Sequence, residues 1–135
     1  MNNEIEKEIQ DKGLNAPRIT PATIENNIAS EHYFTAADGT LGAYKNNNDV
    51  HVGDMPNDLN TISLSLLTLC VLVLENGYTV TGESACASPE NFDAEIGRKI
   101  ARKNAVEKIW PLMGYELRSK LSATLSADAE EETHL

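Results

Sequence analysis

The dipeptide Asn76-Gly77 constrains this chain more than any other feature. It stands between an apolar run, Leu64 to Leu74, and the strand-like segment Tyr78-Thr79-Val80-Thr81. Both residues tolerate positive φ, so the pair suits a two-residue type I′ turn between antiparallel strands. That turn sets a register in which Glu75 faces Tyr78, Val73 faces Val80, Val71 faces Gly82 and Leu67 faces Cys86. Cys70 then lies opposite Glu83. Alternation along the strand puts Cys70 and Cys86 on opposite faces, which argues against a disulfide between them.

Helical signals flank the hairpin. Glu4, Glu6, Lys7 and Glu8 suit a frayed helix closed by Gly13. Thr20-Pro21 is a stronger start: Thr20 can cap free amides, and Pro21 fits the first helical position because its missing N–H is not needed there. Ile24 and Ile28 would share a face, and the helix is predicted to end near His32, before a turn at Asp38-Gly39. Residues 39–60, rich in Asn and Asp, read as an exposed loop or weak hairpin. Ser88-Pro89 then opens a long helix, with Glu90 and Asp93 suited to its positive end. Ile96, Ile100, Val106, Ile109, Trp110 and Met113 form an apolar stripe at helical spacing. Pro111 should stop or kink that helix, and a short one from Tyr115 to about Leu121 would follow Gly114.

The elements add up to an α+β fold: an N-terminal helix, a central antiparallel hairpin or small sheet, a long C-terminal helix and a short one. The length of 135 residues argues for one domain. Residues 1–19 form a polar extension, 20–121 the domain, and 122–135 an acidic, disordered tail. The strand and the helical stripe carry more apolar surface than two short helices can cover, so a homo-oligomer is expected.

Charge narrows the partners. The net charge of −10 argues against duplex nucleic acid, which needs cationic side chains along its phosphates. Between Arg98 and Lys120, however, seven basic residues meet only Glu107 and Glu116, a local net of +5. A basic surface on an acidic protein suits a small anion. No signal-peptide pattern opens the chain, and no apolar run is long enough to cross a bilayer, which predicts a cytoplasmic protein without membrane contact.

The search for catalytic chemistry finds little. His32, His51 and His134 have no metal-ligand partners at helical or finger spacing. Cys70 reads as core. Cys86, near a helix start, has no histidine close in sequence to activate it. No Walker or dinucleotide-binding glycine pattern is present. The Cys86–Asn91 turn leads from a strand into a helix start, which is an anion site by geometry but a feature of every capped helix. Arg98 and Arg102 share a helix face; pairing with Asp93 or Glu95 explains them as readily as a ligand does. Tyr78 follows the turn, where an exposed ring could stack a base or simply pack on its own strand.

Longer stretches carry a resemblance. They are Thr68-Leu69-Cys70-Val71-Leu72-Val73-Leu74-Glu75-Asn76-Gly77-Tyr78-Thr79-Val80-Thr81-Gly82-Glu83-Ser84-Ala85-Cys86, then Ser88-Pro89-Glu90-Asn91-Phe92-Asp93-Ala94-Glu95-Ile96-Gly97-Arg98-Lys99-Ile100-Ala101, and Trp110-Pro111-Leu112-Met113-Gly114-Tyr115. Together they closely resemble a family of short tailed-phage proteins, the family that contains the first class of Thoeris anti-defence proteins. The resemblance covers about residues 60–121. It implies a protein that sequesters a cyclic ADP-ribose isomer made by bacterial TIR-domain enzymes, in the cytoplasm of the infected host. Some members also hold cyclic oligonucleotides of the related CBASS defence. It implies no cofactor, no metal and no turnover. It also implies a dimer or trimer of dimers, with ligand bound between subunits.

Carried over by motif position, Tyr78 supplies the ring after the turn. Ser88, Asn91 and Phe92 lie in the strand-to-helix turn, and Arg98 and Arg102 lie on the helix. Where the family has an amide side chain, this sequence has the Ser88 hydroxyl. The reading from another class is a protein–protein adaptor, or an inhibitor of a host factor, using the hairpin edge or the acidic tail.

Overall fold

A computed structural model describes residues 3–47 and 52–133. His51 and His134 lie outside the described residues, so the expectations placed on them stay untested. The chain divides into two compact units, one of Met1–Asn27 with Lys108–Leu135 and the other of Ile28–Glu107.

In the first unit, α1 (Asn3–Asp11) is followed by Gly13 at φ 66°. The Arg18 guanidinium donates to both carboxylate oxygens of Glu6, at 2.8 and 2.7 Å. Helix α2 (Pro21–Asn26) starts as its sequence predicts. Thr20 accepts from the Thr23 amide, Thr23 reciprocates, and Pro21 takes the first position. Ile24 is buried.

The second unit holds a three-stranded antiparallel sheet in the order β1-β2-β3, with β1 Ile28–Thr35, β2 Leu67–Leu74 and β3 Thr79–Ala85. Here the structure corrects several sequence expectations. Helix α2 ends at Asn26, not near His32 as expected, and Ile28–Thr35 is strand β1. The expected Asp38-Gly39 turn lies inside helix α3 (Ala36–Asn46). Thr35 and Asp38 form a capping box there, each accepting from the other's amide, at 3.1 and 3.0 Å. The box outweighs the turn tendency of Asp-Gly. Asn57 caps helix α4 (Asp58–Ser65), accepting from the Asn60 amide at 2.9 Å. The apolar run is therefore split between a helix and a strand.

The hairpin register is shifted by one residue from the expected one. Cys70 pairs with Gly82, Leu72 with Val80 and Val73 with Thr79. The Gly77 amide donates to the Leu74 carbonyl at 2.9 Å, and the Leu74 amide to the Tyr78 carbonyl at 2.8 Å. The loop therefore holds three residues, Glu75 to Gly77, and Gly77 takes the positive φ of 88°. A three-residue loop ending in a left-handed glycine is the next commonest hairpin after the two-residue turn.

The slip changes which faces the residues occupy. Thr68, Cys70, Leu72 and Leu74 are buried on one face of β2, while Leu67, Leu69, Val71 and Val73 are half-buried on the other. Cys86, whose amide donates to the Leu66 carbonyl, now shares the parity of Cys70. The two thiols remain unbridged because they are separated along the strand by four residues, roughly 13 Å at 3.3 Å per residue. That is well past disulfide reach.

The long helix α5 runs from Ala94 to Thr133, through Pro111. Neither the expected break nor a separate helix after Gly114 is found, and helix occupies the segment expected to be a disordered tail. The start also differs. Pro89–Asn91 is a single 3-10 turn, and Ser88 makes no side-chain cap. Asp93 accepts from the Ile96 amide at 3.0 Å instead. The buried face of α5 in this unit is Gly97, Ala101 and Ala105, while Ile96 and Ile100 are exposed. Small residues face the sheet because Gly82 lets the two backbones approach. A Cβ there would fall 2.2 Å from the Ala101 carbonyl oxygen and 2.3 Å from the Ala105 nitrogen.

Candidate functional site

The close approach of α5 to the sheet leaves a cleft of about 120 Å³ where the helix begins. Its aromatic wall comes from Tyr33 and Phe34 on β1 and from Phe92, just before α5. Arg98, one turn into α5, supplies the positive charge, and Ala94 forms the wall between them. Thr68 of β2 lies beside Thr35 of β1, and Asp38 of α3 completes the lining.

The polar groups differ in how they are engaged. Thr35 and Asp38 are tied to each other through the α3 cap, leaving Asp38 as an acceptor at the rim. Arg98 is exposed and makes no ion pair among the described residues. Burial raises the Tyr33 hydroxyl above its ordinary pKa, so the ring enters the cleft as a neutral phenol. The Cys70 thiol beneath it is also raised, chiefly by burial. The cleft thus offers three rings, one unneutralised guanidinium and a carboxylate. Such a set suits a small molecule with an aromatic group, a negative charge and hydrogen-bond donors.

Of the six residues singled out in sequence, two line this cleft: Phe92 and Arg98. Ser88 and Asn91 lie on the adjoining turn. The Ser88 hydroxyl donates to a Glu90 carboxylate oxygen at 2.6 Å, and this bond holds the Glu90 carboxyl below its usual range. Asn91 is exposed. The expected anion site at the Cys86–Asn91 helix start is replaced by this 3-10 turn, since α5 begins later under the Asp93 cap.

Arg102, one turn beyond Arg98, forms an ion pair with Glu31 of β1. Tyr78 is 58% exposed but stands at the far end of the hairpin. Six residues of β2 separate its neighbour Leu74 from Thr68, roughly 20 Å at 3.3 Å per residue. One protomer therefore does not bring Tyr78 to Arg98. Sequence reasoning missed Tyr33, Phe34, Thr35, Asp38 and Thr68. The spacing of Thr35 and Asp38 was a legible cap signal, but nothing local paired β1 with β2.

Among the described residues, no group of three or more His, Cys, Asp or Glu could hold a metal ion, and no helix is long and apolar enough to cross a membrane.

These features define a small α+β domain with an aromatic, cationic cleft between a helix start and a three-stranded sheet. The chain belongs to the phage protein (N4 Gp49/phage Sf6 gene 66) family, whose pattern it matches over residues 19–121. The match covers the whole second unit, including every cleft residue. Comparisons with curated proteins and with solved structures return no match.

Proposed function

We propose that this phage-family protein is an anti-defence sponge: it binds a cyclic nucleotide immune signal in the Phe92–Arg98 cleft and holds it without turnover. The observation that carries the reading is that Arg98, which makes no ion pair among the described residues, lines one cleft with Tyr33, Phe34 and Phe92. A base would stack on a ring, worth about 1–3 kcal/mol. A phosphoryl oxygen would take Arg98 through a charge-assisted bond of roughly 1.5–3 kcal/mol. Asp38 would accept from a sugar hydroxyl or an exocyclic amine. The likeness of residues 60–121 to the first class of Thoeris anti-defence proteins supports a cyclic ADP-ribose isomer as the ligand, with cyclic oligonucleotides next.

Sequestration works by mass action, so the protein must be abundant and its dissociation slow. Tyr78, remote within one protomer, would join the site only from a second subunit. Ile96 and Ile100, exposed on α5, supply apolar surface for such an assembly. Protein and signal would meet in the cytoplasm of the infected bacterium. A thermal-shift and calorimetric series over cyclic ADP-ribose isomers and cyclic di- and trinucleotides tests the reading; affinity for none of them overturns it.

A separate observation favours an adaptor as the second reading. On α3, α4 and the segment before α4, Leu41, Met55, Leu59 and Ile62 are exposed, Leu59 by 77%. Exposed apolar side chains on neighbouring helices suit a protein partner. Leu59→Lys would abolish such an interaction and leave nucleotide binding intact.

A further inference from the structure

Thr68 sits where a valine would be expected. It is 3% exposed, on the sheet face that otherwise buries Cys70, Leu72 and Leu74, and its Oγ1 has no hydrogen-bond partner among the described residues. Buried hydroxyls without partners cost stability, and an isosteric valine would remove the cost. A residue that breaks a local rule without a structural gain marks a functional position.

Three observations describe the surroundings of this hydroxyl. Thr68 lines the cleft together with Arg98 and Phe92. Thr35, its neighbour on β1, turns its Oγ1 to the α3 cap, where it accepts from the Asp38 amide, and Thr68 Oγ1 is left without a partner among the described residues. Gly97 lies directly above: a Cβ there would stand 2.9 Å from Thr68 Oγ1. In its present rotamer the hydroxyl is therefore tucked under the helix backbone.

We propose that Thr68 is a ligand-contacting, specificity-determining residue. On binding, its hydroxyl turns from Gly97 and donates to an oxygen of the phosphoryl group that Arg98 neutralises. The inference rests on the cleft being the ligand site and adds what the site selects: a phosphate ester whose oxygen reaches the sheet floor. Asp38 at the rim repels a bare anion, so an ester that also carries hydroxyl or amine donors binds more tightly than inorganic phosphate.

The test is calorimetry on the full chain with inorganic phosphate, pyrophosphate, cyclic ADP-ribose and cyclic di-AMP, using wild type, Thr68→Val and Thr68→Ser. The expected result is at least a tenfold loss of affinity in Thr68→Val, whose melting temperature is equal to or above wild type, while Thr68→Ser stays within about threefold. A rise in stability with a fall in binding is a pair that a merely structural threonine does not produce. Wild-type and Thr68→Val proteins binding the nucleotides equally well overturns this inference and leaves the sponge reading standing. Thr68-dependent binding of phosphate or pyrophosphate, with none of either nucleotide, overturns both the ester selectivity and the nucleotide reading. No binding of any probe overturns both. If Thr68→Val melts below wild type, Thr68→Cys, a near-isostere with a weak donor, replaces it, and undiminished binding there overturns the inference.

Discussion

Gly82 of β3 lies so close beneath Ala101 of α5 that an added Cβ would meet the Ala101 carbonyl oxygen at 2.2 Å. The neighbouring contact, 2.3 Å to the Ala105 nitrogen, is also backbone, so no side-chain rotation can relieve it. Gly82→Ala is expected to lower stability by roughly 3 kcal/mol or to prevent folding, because helix and sheet must separate. Urea unfolding of the variant checks this. At Gly97 the nearest atom an added Cβ would meet is the Thr68 hydroxyl at 2.9 Å, a side chain and not backbone, so Gly97→Ala is expected to cost less.

The same approach explains what was and was not legible in the sequence. The Asn76-Gly77 hairpin and the Thr20-Pro21 helix start are local devices, and both are found where expected. The register was not legible, because Asn-Gly serves a two-residue and a three-residue loop alike, and Gly77 at φ 88° chose the second. The apolar stripe on α5 was legible from Val106 onward, where Ile109 is fully buried, but Ile96 and Ile100 are exposed because burial beside the sheet follows Gly97, Ala101 and Ala105, whose value appears only once Gly82 is known to face them. In the candidate site, Phe92 and Arg98 lay in a recognisable motif. Tyr33, Phe34 and Thr68 came together through the β1–β2 pairing, which spans more than thirty residues and leaves no local trace.

The two cysteines should differ in reactivity. Cys70 is fully buried and its thiol is held above its usual pKa, chiefly by burial, whereas Cys86 is half-buried at the end of the sheet. Under native conditions Cys86 should react first with a thiol reagent, with Cys70 following only on unfolding. Mass analysis of alkylated peptides reads this directly. Equal labelling of both would contradict the difference in their burial.

Glu6 adds a pH dependence to the first unit. The Arg18 hydrogen bond lowers its carboxyl pKa from 4.5. A depressed folded-state value contributes stability above the ordinary carboxylate pKa, lost as pH falls through the folded value. Glu6→Gln should flatten the acid limb of the melting curve below about pH 4.5 and change little at neutral pH beyond a small loss. An unchanged acid limb would remove the pair from the account.

Glu31 and Arg102 are each only partly exposed, with side-chain values of 37% and 30%. Glu31→Gln should cost no more than about 1 kcal/mol of stability. If Arg102 is also to reach a ligand, that substitution removes the competing Glu31 carboxylate, and affinity for a polyanion should rise while Arg102→Ala lowers it. Parallel titrations of the two variants decide the matter; identical effects would limit Arg102 to holding the sheet edge.

Tyr78 and Arg98 lie at opposite ends of the sheet, so a site using both must be shared between protomers. Tyr78→Ala and Arg98→Ala should each weaken binding at least tenfold, about 1.4 kcal/mol, with melting temperatures near wild type. Mixing the two weakened variants should restore part of the binding, since one protomer's Arg98 can meet its partner's Tyr78 only in a mixed assembly. No recovery on mixing would confine the site to the single-chain cleft.

The most direct test of the central claim is calorimetric titration of the full chain with cyclic ADP-ribose isomers and cyclic di- and trinucleotides, followed by heating the complex and weighing the released ligand by mass spectrometry. The account predicts saturable, stoichiometric binding of at least one of them, abolished or strongly weakened in Arg98→Ala, with the ligand recovered intact. No heat with any of them would contradict the sponge reading and move the adaptor reading to first place; recovery of a hydrolysed ligand would make the protein an enzyme.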